Sequence, residues 1–334
     1  VSGWLAEQLG ELTEPDATAR AALADRAANI LRPTGALARL DEIAVFLGGW
    51  QHTSRPRVVA PVVAIFAADH GVAVEGVSAY PAEITGAMLA AFRAGVSSVN
   101  AMARTVGARV EAIDVGVGRP TGNLRHEQAM DADRFDAAAT TGAQTVATLA
   151  ESGALDLLII GEMGIGNTTA AAAVSAALFG GDVAGWVGRG TGVTSEAHIN
   201  KIAVVGDAVA RVGDAQSPLE ILRQLGGAEL VAMAGAVVEA RRRSIPVVLD
   251  GYVTAAAVAP LALTRAGSLD HCLAGHVSAE PGHRRLLDRL GLSPLLDLGM
   301  RLGEASGALA AVPLIQMACA LVLDVPTFDE WLAG

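Results

Sequence analysis

The chain has 334 residues, enough for one large buried core with a smaller companion. Apolar residues make up 52% and aromatics only 4%, so the core is built from Ala, Val, Leu and Ile, which suits helices packed on a sheet more than an aromatic-layered sandwich. A formal net charge of −11 repels phosphate backbones and argues against nucleic-acid binding, and Cys272 and Cys319 are too few for a disulfide framework, which points to a reducing cytoplasm.

No basic start, apolar stretch and small-residue cleavage site opens the chain, so no secretory signal is expected. The least polar stretch, Gly307 to Leu323, contains Pro313 and Gln316 and is short for a membrane span; it reads as a buried helix, and no membrane association is expected.

Helical spacing marks Asp16 to Asn29 and Leu37 to Leu47, separated by Pro33, Thr34 and Gly35. Short β-branched runs then alternate with Ala-rich helical stretches. The runs are Val58 to Ala67, Arg109 to Val115, Leu157 to Ile160, Pro246 to Leu249 and Leu273 to Val277. Continuous apolar runs joined by helices predict an open, doubly wound α/β parallel sheet buried on both faces. Ser293 to Leu302 and Ala308 to Leu323 read as helices again. The chain ends, residues 1–50 with 293–334, are expected to form a small helical domain beside a large α/β domain of residues 51–292.

Each strand run is followed by polar residues: Asp69-His70-Gly71, Asp114 with Gly116 and Gly118, Gly161 to Thr169, Asp250-Gly251-Tyr252 and His276 to Glu280. Ligands of open parallel sheets bind beyond the carboxyl ends of the strands, so the site is expected there. In GEMGIGNTT (161–169), Gly164 and Gly166 let backbone approach a ligand, and Asn167, Thr168 and Thr169 open a helix whose N-terminus suits an anion. The stretch reads as a phosphate loop or a plain turn, and it is neither a Walker loop nor a dinucleotide fingerprint. The latter absence disfavours a nucleotide-dependent oxidoreductase.

Of 24 basic residues one is Lys, Lys201, expected at the start of a helical stretch after the loop Gly188-Arg189-Gly190-Thr191-Gly192. A lone Lys in an Arg-biased chain is either chance or a compact ammonium held for phosphate. Glu304, in a break between apolar segments, is either a solvated turn residue or a desolvated carboxylate able to act as a base near neutrality. His271, His276 and His283 are spaced five and seven apart, which does not suit metal ligation, so no metal site is expected.

The segments Ala68-Asp69-His70-Gly71-Val72, Gly76 to Pro81, GEMGIGNTT, Val248-Leu249-Asp250-Gly251, His276 to Glu280 and Met300 to Gly307 together resemble the nicotinate-nucleotide–dimethylbenzimidazole phosphoribosyltransferase family, over about residues 30 to 323. The resemblance implies a Rossmann-like sheet with a helical domain from both termini, in a homodimer. It also implies transfer of ribose 5-phosphate from nicotinate mononucleotide to a benzimidazole-type base in cobalamin assembly, without cofactor. By the same resemblance, Glu304 falls on the catalytic base and Glu162 on a second carboxylate near the ribose. Gly164, Gly166, Asn167, Thr168, Lys201 and Ser278 fall where the mononucleotide and its phosphate are held. Asp69, His70, Ser78, Tyr80 and Leu302 fall along the acceptor pocket. The chain departs from the family pattern at Ala82, where many relatives carry Gln, at Ala305, where Gly is usual, and in residues 33–40. These departures leave open the preferred base (dimethylbenzimidazole, another benzimidazole, adenine or a phenol). A non-catalytic nucleotide sensor is the alternative reading.

Overall fold

The apolar runs become five parallel strands in the computed structural model, which describes residues 3–190, 192–213 and 216–333. Thr191, named in the glycine-rich loop above, lies outside the described residues. The strands are β1 (Pro61–Ala68), β2 (Arg109–Gly116), β3 (Leu157–Met163), β4 (Val247–Leu249) and β5 (Cys272–Ala274), in the spatial order β2-β1-β3-β4-β5. β1 pairs with β2 from Val62 opposite Arg109, and with β3 from Pro61 opposite Leu157. The chain therefore leaves β1 to one side and returns to its other side, which opens a crevice between the carboxyl ends of β1 and β3.

Fourteen α-helices lie among the described residues. The first five are α1 (Trp4–Gln8), α2 (Ala17–Asn29), α3 (Ala38–Trp50), α4 (Ile84–Arg93) and α5 (Ser98–Thr105). They are followed by α6 (Ala132–Ser152), α7 (Asn167–Phe179), α8 (Ser195–Val212), α9 (Pro218–Leu225) and α10 (Ala228–Arg242). The last are α11 (Tyr252–Thr264), α12 (Pro281–Leu290), α13 (Ser306–Asp324) and α14 (Phe328–Ala333).

Strand side chains alternate between two apolar layers, as the period of two requires. Ala64, Phe66, Leu158, Ile160, Val247 and Leu249 face the layer of α6, α7, α10 and α11. Val63, Ile65, Leu157, Ile159 and Val248 face α3, α5 and α13. The chain ends meet through a bridge between Ile30 and Thr327 and through Arg26, whose guanidinium donates to the Val322 carbonyl at 2.7 Å. By length and composition α13 could cross a membrane, but it packs against β3, α3 and α5, with Val312, Ile315 and Val322 fully buried.

Two expectations are corrected. Ser293 to Leu302 is not a helix. Pro294 and Gly299 interrupt it, and its backbone bonds to the end of β5 instead: the Val277 N–H donates to Leu296 O at 2.8 Å and the Ala279 N–H to Met300 O at 2.9 Å. The leucines that suggested a helical face instead flank this short extension of the sheet, which carries Met300 to Glu304 toward the crevice. Lys201 lies mid-helix rather than at a helix start, because Thr194 caps α8 by accepting from the Ala197 N–H at 3.3 Å.

The alanine richness has its clearest use where α6 crosses α10. A Cβ added at Gly142 would collide with the Ala232 carbonyl, and one at Gly235 would collide with that of Ala139. The two backbones touch reciprocally, and α10 is buried on every side from Ala228 to Arg241. Gly to Ala normally favours a helix by up to about 1 kcal/mol. At these two positions the sign reverses: Gly142→Ala and Gly235→Ala are each expected to cost about 1–3 kcal/mol by overpacking. Thermal melting checks this, and a melting temperature at or above wild type would contradict the close crossing.

Candidate active site

The carboxyl end of β3 delivers the first acid to the crevice. Glu162 is 8% exposed and its Oε2 accepts from the Asn167 side-chain amide at the start of α7. Burial pushes its pKa up to about 8, and the charges of Glu229, Asp250 and Glu304 push the same way, against the Asn167 bond. Opposite it stands the turn before α13. Gly303, Glu304 and Ala305 take φ of 79°, 62° and 68°, so three successive residues are left-handed and two of them carry a Cβ. Each such residue costs roughly 1–2 kcal/mol, a strain that must be held by its surroundings. Gly161 makes room for this turn, since a Cβ there would run into the Ala305 backbone nitrogen. Burial, and then the charge of Asp250, push Glu304 up to about 7.

Two cavities meet beneath this turn. An apolar one of about 600 Å³ is lined by Tyr80, Ile84, Met88, Met163, Leu302 and Glu304, among others. A polar cleft beside it is lined by Glu162, Asn167, Thr168, Gly190, Ser278 and Glu280, among others. Met163, Ile165, Arg301 and Leu302 form the seam between them. A buried cation stands behind the far end of the cleft. Lys201 is 1% exposed, and its ammonium donates to Thr168 Oγ1 at 2.7 Å and to the Gly188 carbonyl at 3.2 Å. Burial pushes its pKa down to about 8, partly opposed by Glu280, whose carboxylate accepts from the Gly190 N–H at 2.8 Å. An apolar slot, a carboxylate at its wall and a cleft running from acid to ammonium suit a flat base set against an anionic ribose phosphate.

The residues singled out in the sequence divide clearly. Glu162, Gly164, Asn167, Thr168 and Ser278 line the cleft, Glu304, Tyr80 and Leu302 line the apolar cavity, and Leu302 touches both. Gly166 is the N-cap of α7, at φ 96°. Lys201 stands behind Thr168, outside the lining itself. Asp69, His70 and Ser78 line neither cavity. Asp69 accepts from the Gly118 N–H at 2.7 Å, His70 Nε2 is buried 2.5 Å from Glu229 Oε1, and Ser78 Oγ accepts from the Tyr80 N–H at 3.3 Å. Ala82 is exposed and also lines neither. Sequence reasoning gave no role to Glu229, inside an apolar helix, or to Met88 and Met163. It noted Asp250 as the acid that follows a strand and within a segment of family resemblance, with no role of its own.

Comparison with known proteins bears on this geometry. The pattern of a phosphoribosyltransferase family matches residues 12–331. Two proteins named nicotinate-nucleotide–dimethylbenzimidazole phosphoribosyltransferase are each 50% identical to the chain. The one from Novosphingobium aromaticivorans covers 96% of this chain and 94% of its own length, and the one from Methylocella silvestris 95% and 92%. The crystal structure of the protein of that name from Thermus thermophilus superposes with a TM-score of 0.88 at 38% identity, covering 96% of this chain and 99% of its own.

The raised carboxylates make stability depend on pH. A Glu162 pKa raised to about 8 in the folded protein favours folding fully below its unfolded value, and that contribution is lost as pH rises through 8. Lys201 acts in the opposite direction only above about pH 8. Glu162→Gln is therefore expected to melt higher than wild type, by a margin that grows from about pH 5 to about pH 8. Scanning calorimetry without substrate measures it, and a margin that shrinks over this window would refute the buried charge.

Proposed function

The chain belongs to the nicotinate-nucleotide–dimethylbenzimidazole phosphoribosyltransferase family, and we propose which of its own groups perform the transfer. The enzyme moves ribose 5-phosphate from nicotinate mononucleotide to 5,6-dimethylbenzimidazole, giving α-ribazole 5′-phosphate and nicotinate. The observation that carries the proposed assignment is Glu304, a carboxylate with a pKa near 7 on the wall of an apolar cavity that opens onto the Glu162 cleft.

In this reading the benzimidazole lies between Tyr80, Met88, Met163 and Leu302 with its N–H toward Glu304. The mononucleotide lies along the cleft, its phosphate toward Lys201, Thr168 and the start of α7, where an ammonium and helix N–H groups favour an anion. Glu304 takes the N–H proton while the other ring nitrogen attacks C1′. The bond from C1′ to the nicotinate nitrogen breaks, and its electron pair leaves with nicotinate, whose ring becomes a neutral pyridine. No strong acid is needed for departure. Attack opposite the leaving group inverts C1′ and yields the α linkage. Positive charge on the mononucleotide's ring nitrogen, and then on the ribose in the transition state, faces Glu162; a cation there draws this otherwise protonated acid toward its carboxylate form, which lowers the barrier. Transfer of the proton to a placed base contributes on the order of 10²–10⁴ in rate.

A homodimer is the assembly we propose. Phe328, Trp331 and Leu332 stand exposed on α14, an apolar face that a second copy would take out of water. A reducing cytoplasm suits two cysteines that are both buried and free.

Glu304→Gln is expected to lower kcat by about a hundredfold or more with little change in mononucleotide affinity, and to lose the fall in rate that wild type shows below about pH 7. Formation of α-ribazole phosphate, followed by chromatography and mass, measures this; near-normal turnover would remove Glu304 from the mechanism. Lys201→Ala is expected to weaken mononucleotide binding by about tenfold or more, read by calorimetric titration. Unchanged affinity would move the phosphate elsewhere. Sedimentation equilibrium is expected to give twice the chain mass, and a monomer would refute the dimer.

A further inference from the structure

The strained turn that carries Glu304 needs an anchor, and the end of β4 supplies one. Asp250 directly follows β4, is 1% exposed, and sits beside Gly161 because Ile160 and Leu249 are paired across the sheet. Its Oδ1 accepts from the Ala308 N–H at 2.9 Å, and the N–H groups of Gly307 and Ala305 face the same carboxylate. These three donors belong to the opening of α13, the end of a helix where N–H groups lack partners and an anion is favoured. His276 Nε2 approaches the same oxygen at 3.6 Å from the end of β5. Elements from β3, β4 and β5 thus converge on a single turn, with Gly161 giving it space and Asp250 fixing it.

We infer that Asp250 is a positioning residue for the transfer, holding Glu304 at the cavity wall by capping the first turn of α13. Without the cap, a glutamate and an alanine in left-handed backbone lose the one side chain, among the described residues, that bonds this turn from outside its own segment, and the turn relaxes away from the acceptor. The cap is also a charge close to the base. Burial raises the Asp250 pKa above the usual carboxylate range, against the charge of His276 and then the N–H groups of Ala308, Gly307 and Ala305, which favour its charged form. The charged or titratable groups around Glu304 are Asp250 after β4, Glu162 on β3, Arg301 in its own segment and Tyr80 from the loop before α4. Asp250 is the one that raises its pKa besides burial.

The inference rests on Glu304 being the base, and the test separates the two. Rate profiles are measured from about pH 5.5 to 9 for wild type, Asp250→Asn, Asp250→Glu and Glu304→Gln. Asp250→Asn is expected to lower kcat by about tenfold or more, to leave KM for the mononucleotide within about twofold, and to move the acid limb down by about half a pH unit or more. Asp250→Glu, which keeps the charge but displaces the cap, is expected to lose kcat with the limb in place. An unmoved limb in Asp250→Asn, or a raised KM with kcat intact, overturns the inference. Should Asp250→Asn fail to fold, Asp250→Glu decides alone: lost kcat at an unmoved limb supports the cap, and wild-type kcat refutes it. Near-wild-type kcat in Glu304→Gln with the limb near pH 7 unchanged overturns the base itself, and with it this inference.

Discussion

Four carboxylates, Glu162, Glu229, Asp250 and Glu304, share one buried edge of the sheet, and the rest of the site is arranged around the cost of keeping them there. Like charges at short range in a poorly solvated space raise one another's pKa and oppose folding. Three of the acids have a partner: Asn167 bonds Glu162, His70 pairs with Glu229, and the opening of α13 receives Asp250. Glu304 has no comparable partner among the described residues and keeps a face on the cavity. That asymmetry gives two of the acids distinct uses. An edge crowded with acids that a nearby cation can ionise also suits chemistry in which positive charge appears at a sugar carbon and then disappears.

Rigidity behind that edge comes from side chains that are almost absent. Small residues let α6 and α10 approach until backbone meets backbone, so the layer under β1 and β3 has little room to yield. The strand ends inherit that stiffness. Glu162 stands on β3 itself, and the segment between α12 and α13 that carries Glu304 is bonded to the chain just after β5, so both acids are placed by the sheet edge.

Much of this was legible in the sequence because the signals were local. The parallel sheet followed from apolar runs of strand length, and the crevice from what came after each run. Glu162, Asn167 and Thr168 lay in one contiguous stretch that the fold keeps together. The misread part, Ser293 to Leu302, fails for a nonlocal reason: its leucines answer to the backbone of β5, which helical spacing cannot reveal, while Pro294 and Gly299 were the local warning. Glu229 was invisible because its partner is His70, far off in sequence, and nothing in an apolar helix marks one buried acid. Asp69, His70 and Ser78 were legible as residues near the site but not by their partners, which are Gly118, Glu229 and Tyr80 rather than a ligand cavity. The left-handed turn at Glu304 could not be read from residue types, because Ala305 occupies a position where glycine would have announced it.

Lys201 has a consequence in the terms of protein labelling. It is the only lysine of the chain, while the other basic side chains are arginines. Its amine sits behind the glycine-rich loop with a pKa low enough for a sizeable neutral fraction in mildly alkaline solution. Acylating reagents, which scatter over the surface of an ordinary protein, here find no lysine on the outside. Modification of that one side chain becomes a readout of access to the inner end of the cleft, so the chain carries a built-in reporter for whatever opens or fills it.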